Sequence, residues 1–236
     1  MNVSVKKIIM GVMAYFGLGQ VALTESIPDF KNMLRAAEQG DPEAQLNIGA
    51  MYANGQGVSQ DYGRAVQWFR KAAEQGNVDA QYNLGGMYAS GKGVSQDYMQ
   101  AMEWYRKAAE QGDVVAQLNV GVMYANGQGV KQDYVQAVKW YRKAAEQGNA
   151  KAQFNLGVVY ATGQGDRQDY VQAAQWYHKA AEQGLADAQY NLGEMYYYGR
   201  GIRQNHTLAK EWFGKACQNG LQKGCNAYRI LNQAGY

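Results

Sequence analysis

The feature that most constrains this chain is an internal repeat with a period of 36 residues. All five tryptophans follow that period: Trp68, Trp104, Trp140, Trp176 and Trp212. Glycine pairs follow it as well: Gly55/Gly57, Gly91/Gly93, Gly127/Gly129, Gly163/Gly165 and Gly199/Gly201. A fixed period of this length is typical of chains built from stacked supersecondary units. We therefore expect a repeat protein whose core forms between neighbouring units.

Each unit contains two segments with the spacing of an amphipathic helix, as residues 77–112 illustrate. The first half carries one helical stripe of apolar residues: Ala80, Leu84, Met87 and Tyr88. The second half carries another: Tyr98, Ala101, Met102, Trp104, Tyr105, Ala108 and Ala109. We name the two predicted helices helix A and helix B. Asp97 is placed to cap helix B at its start, and Gly112 to end it in the left-handed conformation.

The repeated residues also carry a family resemblance. From Ala80 to Gly112 the chain follows the pattern A-Q-x-N-L-G-x-x-Y-x-x-G-x-G-V-x-x-D-Y-x-x-A-x-x-W-Y-x-K-A-A-E-Q-G. This pattern resembles the Sel1-like repeat, a relative of the tetratricopeptide repeat with a slightly longer loop. The resemblance implies an all-α fold, a right-handed α/α superhelical solenoid of helix–turn–helix repeats. It divides residues 41–220 into five units: 41–76, 77–112, 113–148, 149–184 and 185–220.

The segments outside these units have different patterns. Residues 29–40 resemble helix B alone, and residues 24–40 are predicted to form an N-terminal cap helix. Residues 221–236 resemble a modified helix A and predict a C-terminal capping helix. Lys6 and Lys7 precede an uncharged apolar stretch, which is the layout of a signal peptide, here 1–23. An uncleaved anchor is the alternative, although the stretch is shorter than the ~20 residues that a spanning helix needs. We expect an exported protein, periplasmic or secreted, with no stable membrane span after cleavage.

Charge and motif content argue against several function classes. The formal net charge is +3 and both signs are mixed within each unit, so no basic stripe indicates nucleic acid. The glycine pairs lack the βαβ context of a nucleotide-binding loop, and their fivefold repetition favours loop geometry. His178 and His206 stand in different units without metal-ligand spacing, which favours surface or packing roles. We predict no metal and no cofactor.

An enzyme is a further possibility, since some cysteine-rich members of the resembled family are described as penicillin-binding or β-lactamase-like. The only S-x-x-K motif runs from Ser4 to Lys7, inside the predicted signal peptide, and neither S-D-N nor K-T-G accompanies it. The repeat register brings no serine–histidine or cysteine–histidine pair together. We therefore predict that the chain is not an enzyme.

The two cysteines, Cys217 and Cys225, lie late on helix B of the fifth unit and early on the capping helix. Their spacing is similar to that of the cysteine-rich members of the resembled family, which implies a disulfide in an exported chain. Two reduced, buried thiols are the alternative. A crosslink here would hold a terminal helix that has one neighbour.

The resemblance places helix A along a concave groove, so residues beside its core positions become candidate ligand contacts. One position is asparagine in every unit: Asn47, Asn83, Asn119, Asn155 and Asn191. An amide both donates and accepts hydrogen bonds, so a row of them suits the peptide groups of an extended ligand. Bracing of adjacent repeats is the alternative. We favour bracing for a second amide row: Gln45, Gln81, Gln117, Gln153 and Gln189.

Next to the asparagines lies an apolar and aromatic stripe: Leu46, Tyr82, Leu118, Phe154 and Tyr190. Accessible aromatic residues are typical partner anchors, whereas burial between adjacent helices A is the alternative. The predicted function is a non-catalytic interaction scaffold or adaptor that binds an extended peptide or protein partner in the groove. A structural module of the cell envelope that associates with itself as a homo-oligomer is the second hypothesis.

Overall fold

The computed structural model describes residues 30–236, which form twelve α-helices and no strand. The helices are α1 Phe30–Glu38, α2 Pro42–Asn54, α3 Tyr62–Glu74, α4 Val78–Ser90, α5 Tyr98–Glu110, α6 Val114–Asn126, α7 Tyr134–Glu146, α8 Ala150–Thr162, α9 Tyr170–Glu182, α10 Ala186–Tyr198, α11 His206–Gln218 and α12 Gln222–Gln233. Helix A of successive repeats is α2, α4, α6, α8 and α10, and helix B follows each. The predicted all-α chain of helix–turn–helix repeats is confirmed. The predicted signal peptide lies outside the described residues.

The described residues divide into two compact units. Unit 1 contains the described residues up to Ala116 together with Gln128–Val130, and unit 2 contains Gln117–Gly127 and Lys131–Tyr236. In unit 1 each helix from α1 to α5 packs against the next, and in unit 2 the same holds from α7 to α12. Inner helices of each unit therefore contact both their hairpin partner and an adjacent repeat. Among the helices of residues 30–236, none combines the length and the apolar character that a membrane-spanning helix requires.

Capping residues set where each helix begins and ends. The Asp97 side chain accepts hydrogen bonds from the backbone N–H groups of Met99 and Gln100, as an N-cap does. Helix α4 is closed by Gly91, whose φ of 69° is left-handed. Gly112 follows α5 with a φ of 97°. Both predicted ends of helix B in this repeat are confirmed.

The two helices of a hairpin approach closely because helix A carries a glycine opposite a ring of helix B. A Cβ built on Gly85 would lie 2.7 Å from a ring carbon of Tyr105, well inside van der Waals contact. The pairing recurs as Gly49 with Phe69, Gly121 with Tyr141, Gly157 with Tyr177 and Gly193 with Phe213. All five rings are buried. The glycine therefore makes room for a large apolar surface at the centre of each hairpin.

The second glycine of each Gly-x-Gly pair lets a loop lie against the preceding repeat. A Cβ on Gly93 would lie 2.2 Å from the carbonyl oxygen of Tyr62, the first residue of the previous helix B. The same contact recurs as Gly129 with Tyr98, Gly165 with Tyr134 and Gly201 with Tyr170. The glycine pairs thus serve loop geometry and repeat packing, as their repetition predicted.

A covalent bond closes the last hairpin of unit 2. Cys217 on α11 and Cys225 on α12 form a disulfide, with their Cα atoms 4.5 Å apart. The predicted disulfide is confirmed, and the alternative of two free thiols is wrong. Because α12 also packs against α11, the bond joins two helices that are already in contact.

We expect Gly85→Ala to lower the free energy of unfolding by about 1–3 kcal/mol, because the added methyl group overlaps the Tyr105 ring. Gly86→Ala is the matched control, one position further along α4, where the first repeat carries Ala50. Helix propensity predicts that the control stabilises the protein by up to about 1 kcal/mol. Urea unfolding followed by circular dichroism measures both variants. Equal effects of the two substitutions would contradict the ring-contact explanation.

Candidate ligand-binding surface on helix A

The predicted asparagine row lies on helix A, but its members differ in exposure. Asn47 is exposed, and Asn83 is 5% exposed. The remaining three are half-buried: Asn119, Asn155 and Asn191. The expectation that the whole row faces an open groove is therefore wrong at Asn83, where packing of neighbouring elements encloses the side chain. A ligand contact at this position would be made in a recess.

That recess in unit 1 is a cavity of about 170 Å³ between α2 and α4. The side chain of Asn83 lines it and forms no hydrogen bond with another described residue. Fully enclosed side-chain nitrogen and oxygen atoms in the described part of the chain all have partners, so the amide of Asn83 is not fully enclosed. Lys92 and Tyr62 also border the space, with Lys92 Nζ 5.4 Å from the ring centre. A nearly buried group with unused hydrogen-bonding capacity is uncommon and calls for a structural or functional explanation.

The same recess recurs in unit 2, where it measures about 110 Å³ and contains Asn191. Tyr177 lines it as well, and its other polar lining residues are Tyr170, Glu194 and Arg200. In the repeat register these correspond to Tyr62, Gly86 and Lys92. Two of the predicted asparagines therefore line recesses that also contain a basic side chain.

Burial controls the ionisation of two tyrosines beneath helix A in unit 2. It raises the pKa of Tyr177 to about 12, an effect that hydrogen bonding with the Asn191 side chain partly offsets. Burial also raises the pKa of Tyr141 to about 12, and the nearby Tyr134 adds to the rise. Both phenols are neutral at physiological pH, so they serve packing and hydrogen bonding.

The apolar stripe beside the asparagines packs largely onto its own hairpin. Leu46 and Leu118 are buried. The aromatic members contact helix B rings at centroid distances of 5.7, 5.8 and 5.2 Å: Tyr82 with Tyr105, Phe154 with Tyr177 and Tyr190 with Phe213. These three stripe residues are half-buried, so each ring keeps an accessible part. Each of the two alternatives for the stripe therefore holds for part of it: the leucines are buried, and the rings are partly exposed.

Buried glutamines connect the repeats, as the sequence favoured. Gln81 is 5% exposed, and its Nε2 donates to the carbonyl oxygen of Ala73 at 3.1 Å, at the end of the preceding helix B. Its Oε1 accepts a hydrogen bond of 2.8 Å from Nε2 of Gln111, at the end of its own helix B. The arrangement recurs at Gln45, Gln153 and Gln189. The predicted bracing role is confirmed for these four glutamines.

Gln111 has a role that the sequence analysis missed. Besides its bond to Gln81, its Nε2 donates to the carbonyl oxygen of Gly76 at 3.2 Å. An amide stands at this position at the end of every helix B from the first repeat to the fifth: Gln75, Gln111, Gln147, Gln183 and Asn219. This recurrence in the sequence could have been noticed, since a third row of amides, placed at the end of helix B, indicates hydrogen bonding between repeats.

A second feature that the sequence analysis missed is Asp166 in unit 2. The other four loops carry a branched apolar residue at this position: Val58, Val94, Val130 and Ile202. Open cavities of about 770 and 590 Å³ border Asp166. Its carboxylate lies 3.6 Å from Arg142, whose guanidinium donates to the Tyr160 hydroxyl at 2.7 Å. An aspartate in place of a branched apolar residue was therefore the sequence feature that could have indicated this surface.

Both histidines take packing roles, as favoured. His178 meets the ring of Trp212 edge-on, with the centroids 5.7 Å apart. His206 stacks on Tyr197 and meets Tyr236 edge-on, at centroid distances of 5.0 and 4.5 Å. Within residues 30–236 no group of three histidine, cysteine, aspartate or glutamate side chains is placed to hold a metal ion.

Comparison with protein families bears on the whole array. The family model described as Sel1 repeat matches the chain five times, over residues 42–77, 78–113, 114–149, 150–185 and 186–221. Each matched segment begins at the first residue of a helix A. None of the curated proteins compared matches the chain.

Solved structures of similar sequence have this fold. A protective antigen of uropathogenic Escherichia coli that displays an SLR fold is 41% identical, with a TM-score of 0.84. That match covers 86% of this chain and 44% of the antigen, so the chain spans less than half of its length. A Sel1 repeat protein from Oxalobacter formigenes is 38% identical, with a TM-score of 0.75, over 80% of this chain and 76% of that protein.

We expect Gln81→Leu to lower the free energy of unfolding by about 1–3 kcal/mol, because the Ala73 carbonyl and the Gln111 amide lose a buried partner. Asn47→Ala is the control, since this exposed amide makes no side-chain hydrogen bond within the described residues. We expect the control to change stability by less than about 0.5 kcal/mol. Thermal and urea unfolding measure both. A neutral Gln81→Leu would show that the bridge between repeats adds no stability.

Proposed function

Because the chain belongs to the Sel1 repeat family, we propose that it is a non-catalytic scaffold whose helix A surface binds an extended peptide or protein partner. The observation that carries this proposal is the Asn83 amide, which is 5% exposed, lies beside a cavity of about 170 Å³ and has no hydrogen-bond partner within residues 30–236. Two positions earlier, the Gln81 amide is already used between repeats. Asn83, unlike Gln81, is therefore the amide that would hydrogen-bond to a ligand.

Amide chemistry explains how such a surface would hold a peptide. An asparagine side chain donates through its NH₂ group and accepts through its oxygen, so it pairs with either half of a peptide group. Unit 1 offers Asn47 and Asn83, and unit 2 offers Asn119, Asn155 and Asn191. Because these contacts would reach the ligand backbone, recognition would tolerate many ligand sequences.

The half-buried rings beside the asparagines would anchor apolar side chains of the ligand. Tyr82 in unit 1 and Phe154 and Tyr190 in unit 2 are held in place by helix B rings, so binding would cost them little conformational freedom. Leu118 is 8% exposed and would support the surface from beneath.

Export to the periplasm or the medium is part of the proposal. The disulfide between Cys217 and Cys225 supports an oxidising compartment. The layout of residues 1–23, two lysines before an apolar stretch, suits a signal peptide.

Self-association is a second candidate, favoured by exposed apolar residues on α12. Ile230 is 64% exposed and Tyr228 39% exposed. A second copy would cover such side chains. Light scattering over a range of concentrations separates the candidates. A dimer that Ile230→Lys abolishes would favour self-association, and a monomer at every concentration would exclude it.

We expect the purified chain to bind members of an immobilised library of random 12-residue peptides, and a double Asn155→Ala, Asn191→Ala variant to bind them at least about 10-fold more weakly. The reason is that the variant lacks two amides of unit 2 without losing a glutamine bridge. Gln164→Ala, on the loop after α8, is the control and should leave binding unchanged. Absence of any bound peptide, or equal affinity of the double variant with an unchanged melting temperature, would sink the proposal.

The non-catalytic part of the proposal has its own test. We expect no hydrolysis of a chromogenic cephalosporin by the purified chain above the rate with heat-denatured chain, because the predicted signal peptide contains its only S-x-x-K motif. Turnover that scales with protein concentration and survives repurification would contradict a purely binding role.

A further inference from the structure

One helix A position varies more than its neighbours in the repeat register. It is occupied by Ala50, Gly86, Val122, Val158 and Glu194. This position lies three residues after the asparagine row, on the same side of the helix. Gly86, which has no side chain, lines the cavity of about 170 Å³ beside Asn83. The missing side chain contributes to the open space in unit 1.

The polar groups around the unit 1 cavity include three that can donate to an anion, and Asn54, Gln60 and Ser90 also line it. The Asn83 amide is unbonded, and Lys92 forms no ion pair among the described residues. The Tyr62 hydroxyl accepts a hydrogen bond from Gln60 Nε2 at 3.0 Å and keeps its own proton for another acceptor. No aspartate or glutamate is among the described residues that line the cavity. The exposed Lys92 therefore brings a positive charge to the edge of a small recess whose lining has no acidic residue.

The floor of the cavity is apolar. Ala53 is 3% exposed and Met87 is 2% exposed, and both line it with Gly86. A short aliphatic stem can lie on this floor while its polar end reaches the donors. The volume of about 170 Å³ holds one side chain and excludes a folded element.

Unit 2 contains the same recess with the anion already present. There Glu194 takes the position of Gly86, Asn191 that of Asn83, and Arg200 that of Lys92. The Glu194 carboxylate receives a hydrogen bond from Tyr190 at 3.2 Å. The chain itself thus places a carboxylate among an asparagine and a cation, and the recess is smaller, about 110 Å³. Unit 1 has the asparagine and the cation without the carboxylate.

We propose that the unit 1 cavity binds the side-chain carboxylate of an acidic residue in the ligand, in the place that Glu194 takes in unit 2. The inference rests on the proposed peptide-binding function and adds a specificity to it. Lys92 Nζ, the Asn83 amide and the Tyr62 hydroxyl donate to the carboxylate oxygens. A neutral glutamine of the same length would lose the charge-assisted bond to Lys92, which corresponds to about a 10-fold loss of affinity.

Small probes test the cavity without a known ligand. N-acetylglutamate N-methylamide presents a side-chain carboxylate, N-acetylglutamine N-methylamide is its neutral match, and N-acetylglycine presents a terminal carboxylate. We expect the glutamate probe to shift the Asn83 side-chain amide resonance in a nitrogen–proton correlation spectrum, about 10-fold more tightly than the glutamine probe. Equal titration by the glutamate and glutamine probes overturns the inference. A response to N-acetylglycine alone overturns the assignment to a side chain.

The test variants copy residues that other repeats carry at the same position. Because the fold already accepts these residues there, we expect the variants to fold. Lys92→Gln installs the residue of Gln56, Gln128 and Gln164 and should weaken the glutamate probe about 10-fold. Gly86→Glu copies Glu194 and should abolish binding by supplying the carboxylate internally. Gly86→Val copies Val122 and Val158 and should abolish it by filling the space. Gln56→Lys is the control and should leave the probe unaffected. Undiminished binding by Lys92→Gln or Gly86→Glu overturns the proposal.

The peptide library separates this inference from the function on which it rests. Acidic peptides should be enriched on the wild-type chain, and Lys92→Gln should remove the enrichment while keeping general peptide binding. Peptide binding without acidic preference refutes the carboxylate site alone. Probe binding at Asn83 without peptide binding refutes the peptide function and leaves the carboxylate site standing.

Discussion

Each hairpin depends on the contact between a helix A glycine and a helix B ring. A Cβ on Gly157 would lie 2.5 Å from the Tyr177 ring, so only glycine lets the two axes approach this closely. That approach buries the ring and brings helix A within reach of the end of its own helix B. The glutamine bridge requires this proximity, since Gln153 accepts a 2.8 Å hydrogen bond from Gln183. Packing of repeat on repeat follows from packing within the repeat.

Much of this arrangement could be predicted, because a residue pattern that recurs in five repeats identifies helices and their contacts more reliably than a pattern that occurs once. The helix pairs, the left-handed glycines and the bracing glutamines followed from register and residue chemistry, and the disulfide from the resemblance of the cysteine spacing to that of cysteine-rich family members. The exposure of the asparagines did not. Asn47 and Asn83 are the same residue at the same register, yet one is exposed and the other 5% exposed. Burial depends on neighbouring elements, which a residue's own pattern does not encode.

The candidate site lies where the repeat is least regular. Identical positions serve the scaffold, as the glutamine bridges do, whereas Gly86, Asp166 and Glu194 depart from their register and border cavities. A single consensus would have hidden all three. In a repeat protein, candidate binding residues are therefore better sought among the positions that differ between repeats than in the shared pattern.

The glutamine bridge also has a consequence for how such chains change length. Gln81 donates to the preceding repeat and accepts from its own, and Gln45, Gln153 and Gln189 each make the same two connections. After an in-frame duplication or deletion of one 36-residue segment, each of these glutamines would still find the same donor and acceptor in the adjoining helices, so no hydrogen bond between repeats would be lost. Gene recombination can lengthen or shorten this kind of protein while its interfaces stay intact, and each added copy is free to diverge at its cavity.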